Sequence, residues 1–333
     1  MSHAEEIIDS VREQIAETPD RLADVRARRD IVLAIAGRFP GALRTYGSGS
    51  VATGLVNRPV SDGDGGVVLD LRSFPTLGPD GDDELRLDVV EQMQTFLGPE
   101  LRKVYPKAVV KKMKRGILVE FHAPYPDGED PTVDLVVALT RANGPGLWIP
   151  NLDANRWDPS DPEKHVELLN AGTRELRRSR AQAIRVMKAW NCEFSNPAVS
   201  SFNIAALGLE AITTALPLAE AVATLFEHAA AALSVSLTPD PAGVSVPIKL
   251  LVGKEIVIKR LTNAATNVRA AINTSDKDKA TELLADVFWK YVQAPAGTHG
   301  ALIANLRDGG SGAGLLGVGA AAKRPRAFGD DRG

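Results

Sequence analysis

Two aspartates one residue apart, Asp62 and Asp64, stand at the head of an apolar run in the segment SDGDGGVVLDL. Successive residues of a β-strand point to opposite faces, so these two carboxylates would lie side by side on one face. Two like charges at that distance require a cation between them. A pair of this kind is also ordinary turn chemistry, so by itself it is weak evidence for a site.

A third carboxylate strengthens the interpretation. Asp134 is the lone charge in the apolar run TVDLVVAL. A buried carboxylate loses much of its solvation energy unless it is paired or binds a metal ion, and we expect Asp134 to face Asp62 and Asp64 across the sheet. Three hard oxygen donors on adjacent strands suit two Mg²⁺ ions, or Mn²⁺, in phosphoryl transfer. The sequence therefore predicts that Asp62, Asp64 and Asp134 are catalytic and metal-binding.

A glycine-serine loop precedes the aspartates in TYGSGSVATG. At Gly47 the absence of a side chain lets backbone N–H groups approach phosphate oxygens, and the hydroxyl of Ser48 adds a donor. Alone, this stretch would be interpreted as a plain loop. Followed by both acidic elements in order, it predicts a nucleotide site. Asp70 shares the face of Asp62 but lies at the far end of the strand, where a surface or capping role is expected.

A basic helix face is predicted later in the chain. At about 100 degrees per residue, four cations share one face of the helix in TRELRRSRAQAIRVMKAWN: Arg174, Arg178, Arg185 and Lys188. For the first two, a solvated charged face is an equally good interpretation. Lys188 has apolar neighbours, so a half-buried position suited to a triphosphate is predicted. Ser201, at the start of the next helix, is predicted to donate its hydroxyl and nearby amides to the same group.

A second basic run has no acidic residue between Leu101 and Arg115. It could contact a polyanion or could protect an edge strand. We favour the edge strand because aromatic residues that would stack on bases are not interleaved with the cations. The run comprises Lys103, Lys107, Lys111, Lys112, Lys114 and Arg115.

Composition narrows the class of protein. The 39 lysines and arginines against 42 aspartates and glutamates leave a net charge of −3, so no global field favours nucleic acid or an anionic membrane. One cysteine, Cys192, excludes an intramolecular disulfide. The charged N-terminus lacks the apolar core of a signal peptide, and no stretch approaches the ~20 apolar residues of a membrane span. A cytoplasmic protein is expected, with no membrane and no obligatory nucleic-acid partner.

The hydrophobic pattern predicts an α+β protein. Two helices open the chain, followed by short β-branched runs that form a mixed sheet with helices, and the pattern from Asp161 onward is helical. We expect a mixed-sheet lobe with N-terminal helices over residues 1–160 and an all-α C-terminal lobe over 161–307. The glycine-rich residues 308–333 are expected to form a flexible tail.

These residues resemble a known family. Gly47-Ser48, then Asp62-x-Asp64 and later Asp134 look like the active site of polymerase β-type nucleotidyltransferases, which implies a polymerase β-like nucleotidyltransferase catalytic lobe over residues 1–160. WDPSDPEKHVELLN, AIRVMKAWN, SSFNIAALGLEAI and KATELLADVFWKYV resemble the helical part of the bacterial cGAS/DncV-like nucleotidyltransferases, or CD-NTases, over about residues 20 to 295. The chain departs from that family where Gly49 replaces a usual aromatic residue, Ser200 a lysine and Ala206 a glutamate.

The resemblance implies a function. CD-NTases make cyclic di- or trinucleotide second messengers in bacterial anti-phage (CBASS) systems. For this chain it implies that Asp62, Asp64 and Asp134 hold Mg²⁺ and that four residues hold the donor triphosphate: Gly47, Ser48, Lys188 and Ser201. It also implies NTP substrates and a downstream effector activated by the cyclic nucleotide.

Two alternatives and one further hypothesis about the tail stay open. The same acids would serve a linear nucleotidyltransferase that modifies RNA, a protein or a small molecule. A catalytically silent nucleotide-binding partner of a toxin or effector is disfavoured by the intact acidic set. Some family members act with an E1/E2-like partner that joins their C-terminal residue to a target, so Gly333 is a candidate for conjugation.

Overall fold

Contacts divide the protein into two compact units. The computed structural model describes residues 2–79, 81 and 85–295. The sheet unit comprises Glu17–Ala171 and Asp240–Val246, and the helical unit comprises Met1–Ala16, Gly172–Pro239 and the described residues from Pro247 onward. The predicted domain boundaries stay a prediction, because a division by contacts does not test which segment folds alone. The predicted tail, with Gly333, lies outside the described residues.

The sheet unit is built on a mixed seven-stranded sheet. Its strands are β1 (Ala42–Ser48), β2 (Asp62–Leu69), β3 (Val109–Met113), β4 (Gly116–Glu120), β5 (Thr132–Thr140), β6 (Leu147–Asn151) and β7 (Arg156–Ser160). Five of them lie in the order β1-β2-β5-β4-β3, and the β6–β7 hairpin pairs with the end of β5. Strands β2 and β5 are parallel, and the other pairs are antiparallel. The sheet therefore places β5, distant in sequence, directly beside β2.

Helices cover the sheet because its strands are apolar on both faces. The helices of this unit are α2 (Pro19–Ala36), α3 (Gly49–Thr53), α4 (Leu85–Arg102) and α5 (Pro162–Leu169). Thr18 caps α2 by accepting from the Arg21 N–H, and Pro19 occupies the first turn, where a missing N–H costs nothing. Val32 of α2 and Met93 and Leu97 of α4 join Val137 of β5 in the main core.

The helical unit contains α1 (His3–Gln14), α6 (Arg174–Asn191), α7 (Ser201–Ala211), α8 (Leu218–Val235), α9 (Lys254–Asn273) and α10 (Lys277–Val287). Trp190 of α6 and Phe226 of α8 pack edge to face with ring centroids 4.9 Å apart. Glu5 of α1 accepts from the backbone N–H groups of Leu218 and Ala219, so an acidic side chain satisfies the open N-terminus of α8. The first helix thus packs with helices that follow it by some 200 residues.

Within the described residues, α8 is long and apolar enough to cross a membrane by length and composition. Helix α8 is thus an exception to the expectation that no stretch is apolar enough to span a membrane. Half of its length is buried in the protein, where it packs with α6, α7 and α9. The core helix of a helical bundle has the same length and apolar composition, so burial within the protein accounts for the composition of α8.

The predicted fold class is confirmed in both parts: a mixed sheet with helices, and an all-α part. The two opening helices and the five predicted strands are present. The β6–β7 hairpin was missed, because Pro150 and Pro159 argue against strands in LWIPN and RWDPS.

Candidate active site

Three carboxylates meet on one face of the sheet. Asp62 and Asp64 lie on β2 and Asp134 lies on β5, and their nearest carboxylate oxygens are all within 4.8 Å of one another. Asp64 is paired in register with Asp134 across the parallel strands, which is why their side chains point to the same side. The expected proximity of the three is confirmed, and their catalytic roles stay a prediction.

The donor set suits a divalent cation. Asp64 is only 2% exposed and Asp62 only 9% exposed, so neither carboxylate is well hydrated. Bringing three carboxylates together with little water raises their mutual repulsion, which a cation between them would remove. Oxygen donors of this kind match Mg²⁺ and Mn²⁺. The cluster can therefore bind a metal ion, and the identity of the ion stays a prediction.

The glycines of β2 bring helix α2 against the strand that carries the aspartates. A Cβ atom at Gly63 would lie 3.1 Å from Arg29 Cβ, and one at Gly65 would lie 2.8 Å from Leu33 Cδ2. The contact at Gly65 is closer than Cβ atoms tolerate, and the one at Gly63 would require α2 to shift by a few tenths of an ångström, so small residues favour the packing of α2 here. The face opposite the carboxylates is thereby closed by a helix.

Tyr46 occupies the carboxylate-bearing face beside the site. A Cβ atom at Gly66, its register partner on β2, would lie 2.6 Å from Tyr46 Cε1, so the tyrosine ring covers the glycine. The hydroxyl of Tyr46 is buried without a hydrogen-bond partner among the described residues. Burial, followed by the nearby Glu163 carboxylate, raises the pKa of Tyr46. Sequence reasoning missed this residue, although its spacing of two from Ser48 was a signal for a shared face.

Gly47 and Ser48 end strand β1 beside Asp64, and α3 begins at the next residue, so the stretch predicted as a loop is the end of a strand. Ser48 is the register partner of Asp64, it is 2% exposed, and its hydroxyl has no hydrogen-bond partner among the described residues. Buried hydroxyls are ordinarily satisfied, so an open hydroxyl beside the carboxylates is a feature that a ligand would complete. The predicted roles of Gly47 and Ser48 in holding a nucleotide stay predictions.

Thr132 is a second residue that sequence reasoning missed. It is the register partner of Asp62 and lies two residues before Asp134 on β5, so its side chain shares the carboxylate-bearing face. Alternation along the strand from Asp134 was a signal for Thr132, although threonine is also common in strands. Asp70, by contrast, caps the short turn Leu71–Ser73 by accepting from the Arg72 N–H at 2.9 Å, as expected.

Lys188 and Ser201 lie in the helical unit. Lys188 is half-buried on α6 between the buried Met187 and Ala189, as its neighbours predicted. On the same face Arg185 donates to the Ile15 carbonyl, and Arg174 and Arg178 are exposed. Ser201 is the first residue of α7, whose N-terminus is capped by Ser200 through the Asn203 N–H. Their predicted contacts with a triphosphate stay predictions.

The second basic run protects an edge, as favoured from sequence. Strand β3 is the last strand of the sheet on its side. Its cations are paired: Lys111 with Glu120 at 2.6 Å, Lys112 with Glu91, and Arg115 with Asp158 at 2.6 Å. Lysines on an edge strand discourage pairing with another chain, so this run is explained without a polyanion.

The fold and the acidic cluster define a class: the chain has the fold of the cGAS/DncV-like CD-NTases. It is similar to the structure of the E. coli MS115-1 CdnC:HORMA-deltaN complex, with a TM-score of 0.63 and 19% identity over 88% of this chain and 99% of that chain. The predicted resemblance is confirmed at the level of fold.

Two further structures support the same class. The Bradyrhizobium diazoefficiens CD-NTase CdnG in complex with GTP matches with a TM-score of 0.61 and 15% identity, covering 85% of this chain and 95% of that chain. The Vibrio cholerae DncV cyclic AMP-GMP synthase matches with a TM-score of 0.60 and 12% identity, covering 90% of this chain and 98% of that chain. No protein-family model and no curated protein matches the chain.

Proposed function

We propose that this protein is a nucleotidyltransferase that joins NTPs into a cyclic di- or trinucleotide. The observation that carries the proposal is the cluster of Asp62, Asp64 and Asp134, whose oxygens lie within 4.8 Å of one another in a chain with the CD-NTase fold. Fold alone does not determine activity, so the argument depends on the site. An intact set of three acids in the expected register is what nucleotidyl transfer requires.

The reaction would proceed by in-line attack. The 2′- or 3′-hydroxyl oxygen of one nucleotide forms a bond to the α-phosphorus of the other, the bond from that phosphorus to the pyrophosphate oxygen breaks, and the hydroxyl proton passes to Asp134. A second transfer of the same kind closes the ring. Two divalent cations bound by the carboxylates, Mg²⁺ or Mn²⁺, would supply charge neutralisation and a lowered pKa for the attacking hydroxyl.

The remaining proposed residues bind the donor triphosphate. The Ser48 hydroxyl lies beside Asp64 in register and lacks a hydrogen-bond partner among the described residues, which supports a contact with a phosphate oxygen. Gly47 would offer its backbone to the same group, while Arg29 occupies the space of its missing side chain. Lys188 and Ser201 would add a cation and an α-helix N-terminus from the helical unit. Positioning of this kind lowers the entropic barrier of the reaction.

The biological setting follows from the same class. CdnC has been seen with ATP and with a HORMA protein, CdnG with GTP, and DncV is a cyclic AMP-GMP synthase. By analogy, NTPs are the substrates, the product is a second messenger of CBASS anti-phage defence, and an effector in the same cytoplasm responds to it. This setting depends on the synthase activity proposed above.

The activity can be tested directly. The purified protein is incubated with Mg²⁺ or Mn²⁺ and four labelled NTPs, then treated with phosphatase, and resistant products are identified by mass spectrometry. A phosphatase-resistant cyclic product is expected. Linear products would favour the alternative of a nucleotidyltransferase that modifies an RNA, protein or small-molecule acceptor. Binding of NTPs without turnover would favour a catalytically silent nucleotide-binding protein.

A matched pair of variants separates the site from the strand that carries it. Asp64→Asn is expected to lower turnover at least about a hundredfold, because it removes charge where the transition state needs it. Asp70→Asn removes a charge from the capping turn directly after the same strand, and turnover should be unchanged. Equal turnover of Asp64→Asn and the wild type would overturn the assignment of the carboxylates.

A further inference from the structure

The backbone at Gly49 lies directly against the carboxylate of Asp64. Gly49 has a φ of +66°, a left-handed conformation that side chains rarely adopt. A Cβ atom at this position would lie 2.7 Å from Asp64 Cβ and would overlap the carboxylate oxygen Oδ2. Residue 49 therefore cannot carry any side chain while Asp64 keeps its present position.

Asp64 has little room to move away. It is 2% exposed, and the strands on either side place Ser48 and Asp134 as its register partners. A displaced Asp64 carboxylate would either approach the Asp134 carboxylate, which repels it, or break the pairing of β2 with its neighbouring strands. The carboxylate is thus confined between two strands and covered by the Cα of Gly49.

Gly54, at the other end of α3, shows that the constraint is specific. It has a similar φ of +69°, but a Cβ atom there would meet no atom within 4 Å. The backbone conformation alone accounts for glycine at position 54. At position 49 the carboxylate adds a second and independent requirement.

We infer that Gly49 is a positioning residue that sets the orientation of the Asp64 carboxylate and thereby the affinity of the acidic cluster for a divalent cation. This inference deepens the proposed function and rests on its cation site. The acidic cluster therefore requires a residue without a side chain at position 49.

The first test is binding of Mn²⁺ to the full chain, measured by titration calorimetry without nucleotide. Gly49→Ala should raise the dissociation constant about tenfold or more, the effect of disturbing the group that orients a metal ligand. Gly54→Ala carries the same backbone strain and should leave the constant unchanged. Equal affinity of Gly49→Ala and wild type would overturn the inference, as would equal losses in the two variants.

The second test needs neither metal nor turnover. The thermal midpoint should fall further for Gly49→Ala than for Gly54→Ala. In an Asp64→Gly background both the carboxylate and the Cβ of residue 64 are absent, so the two glycine substitutions should then lower the midpoint equally. If Gly49→Ala alone does not fold, folding of the Gly49→Ala, Asp64→Gly double variant supports the inference, and failure of both overturns it.

The two proposals fail in different ways. If wild type binds Mn²⁺ but yields no nucleotide product, the proposed function is wrong while the affinity comparison still decides the role of Gly49. If wild type makes product and Gly49→Ala makes it with the same Mn²⁺ dependence, the function stands and this inference is wrong. If wild type makes product but binds no Mn²⁺ without nucleotide, the function stands and this inference is overturned.

Discussion

Asp64 on β2 is paired in register with Asp134 on β5 across parallel strands. On its other side the same aspartate is paired with Ser48 of β1, so a hydroxyl and two carboxylates form one row across three strands. The row is perpendicular to the strands, and backbone hydrogen bonds maintain its spacing. The backbones of the two aspartates cannot separate without breaking the sheet, and the repulsion between their carboxylates costs free energy that a cation would recover.

Divalent cations should therefore stabilise the protein. Mn²⁺ at a hundred times its dissociation constant is expected to add about 2.7 kcal/mol to the free energy of unfolding. Thermal melts with Mn²⁺ and with EDTA measure the shift. Asp64→Asn should abolish it and should melt no lower than wild type in EDTA, since the substitution removes one of the repelling charges. Asp70→Asn should keep the full shift, and a shift that survives in Asp64→Asn would contradict the metal assignment.

Gly66 should not tolerate a side chain, because the Tyr46 ring occupies the space of its Cβ. Gly66→Ala is expected to destabilise the protein by about 1–3 kcal/mol through overpacking. Gly253→Ala is the control, since a Cβ there meets no atom within 4 Å and its φ is −54°. In a Tyr46→Ala background the cost of Gly66→Ala should largely disappear in a double-mutant cycle read by denaturant unfolding. An unchanged cost would mean that another neighbour is responsible.

Tyr46 should make the protein sensitive to alkali. Burial raises the pKa of Tyr46 in the folded state above its ordinary value of 10.0, so the stability that depends on the neutral phenol is present below pH about 10 and is lost as pH rises beyond it. Tyr46→Phe should unfold less readily above pH 10. At pH 7 it should be about 0–1 kcal/mol more stable, because a buried hydroxyl without a partner among the described residues is removed. Identical alkaline unfolding curves would contradict this.

Asp240 should contribute stability that is lost in acid. Burial alone would raise the pKa of this carboxyl, but the N–H groups of Ser245 and Val244 and the ring of His165, 2.6 Å away, outweigh it and lower the pKa below 3.8. A lowered pKa stabilises the folded state above pH about 4, and the contribution disappears as pH falls through the folded value.

Asp240→Asn should accordingly cost about 2–3 kcal/mol at pH 7, the value of hydrogen bonds to a charged group. The difference from wild type should shrink as pH falls toward 3, as measured by urea unfolding at several pH values. Asp278→Asn, in the first turn of α10, is a comparison substitution of the same type at an exposed position. If the loss of unfolding free energy in Asp240→Asn did not change with pH, the ionised Asp240 carboxylate would contribute nothing to stability.

The candidate site was largely predictable because its signals are local. Alternation along a strand decides which residues share a face, and that rule alone placed Asp62 and Asp64 together. A charge in an otherwise apolar run marked Asp134. The same local rules gave two helices, five strands and the helical character of the second half, which is why the fold class was predicted correctly.

The tertiary structure determined those features of the site that depend on residues distant in sequence. That β5 lies beside β2, and not beside β4 alone, is a long-range pairing that no local period encodes, and it is what brings Asp134 into register with Asp64. The β6–β7 hairpin forms despite its prolines because pairing at an edge can omit a donor.

By itself, the sequence determined which side chains can do chemistry and on which face of their own strand they lie, since both follow from residue type and backbone period. Only the folded chain decided how tightly those faces meet. The overlap that any side chain at Gly49 would make with Asp64, and the closeness of Gly66 to Tyr46, arise from packing between segments that are separate in sequence. Such contacts depend on distances between backbones, and those distances exist only once the sheet has formed.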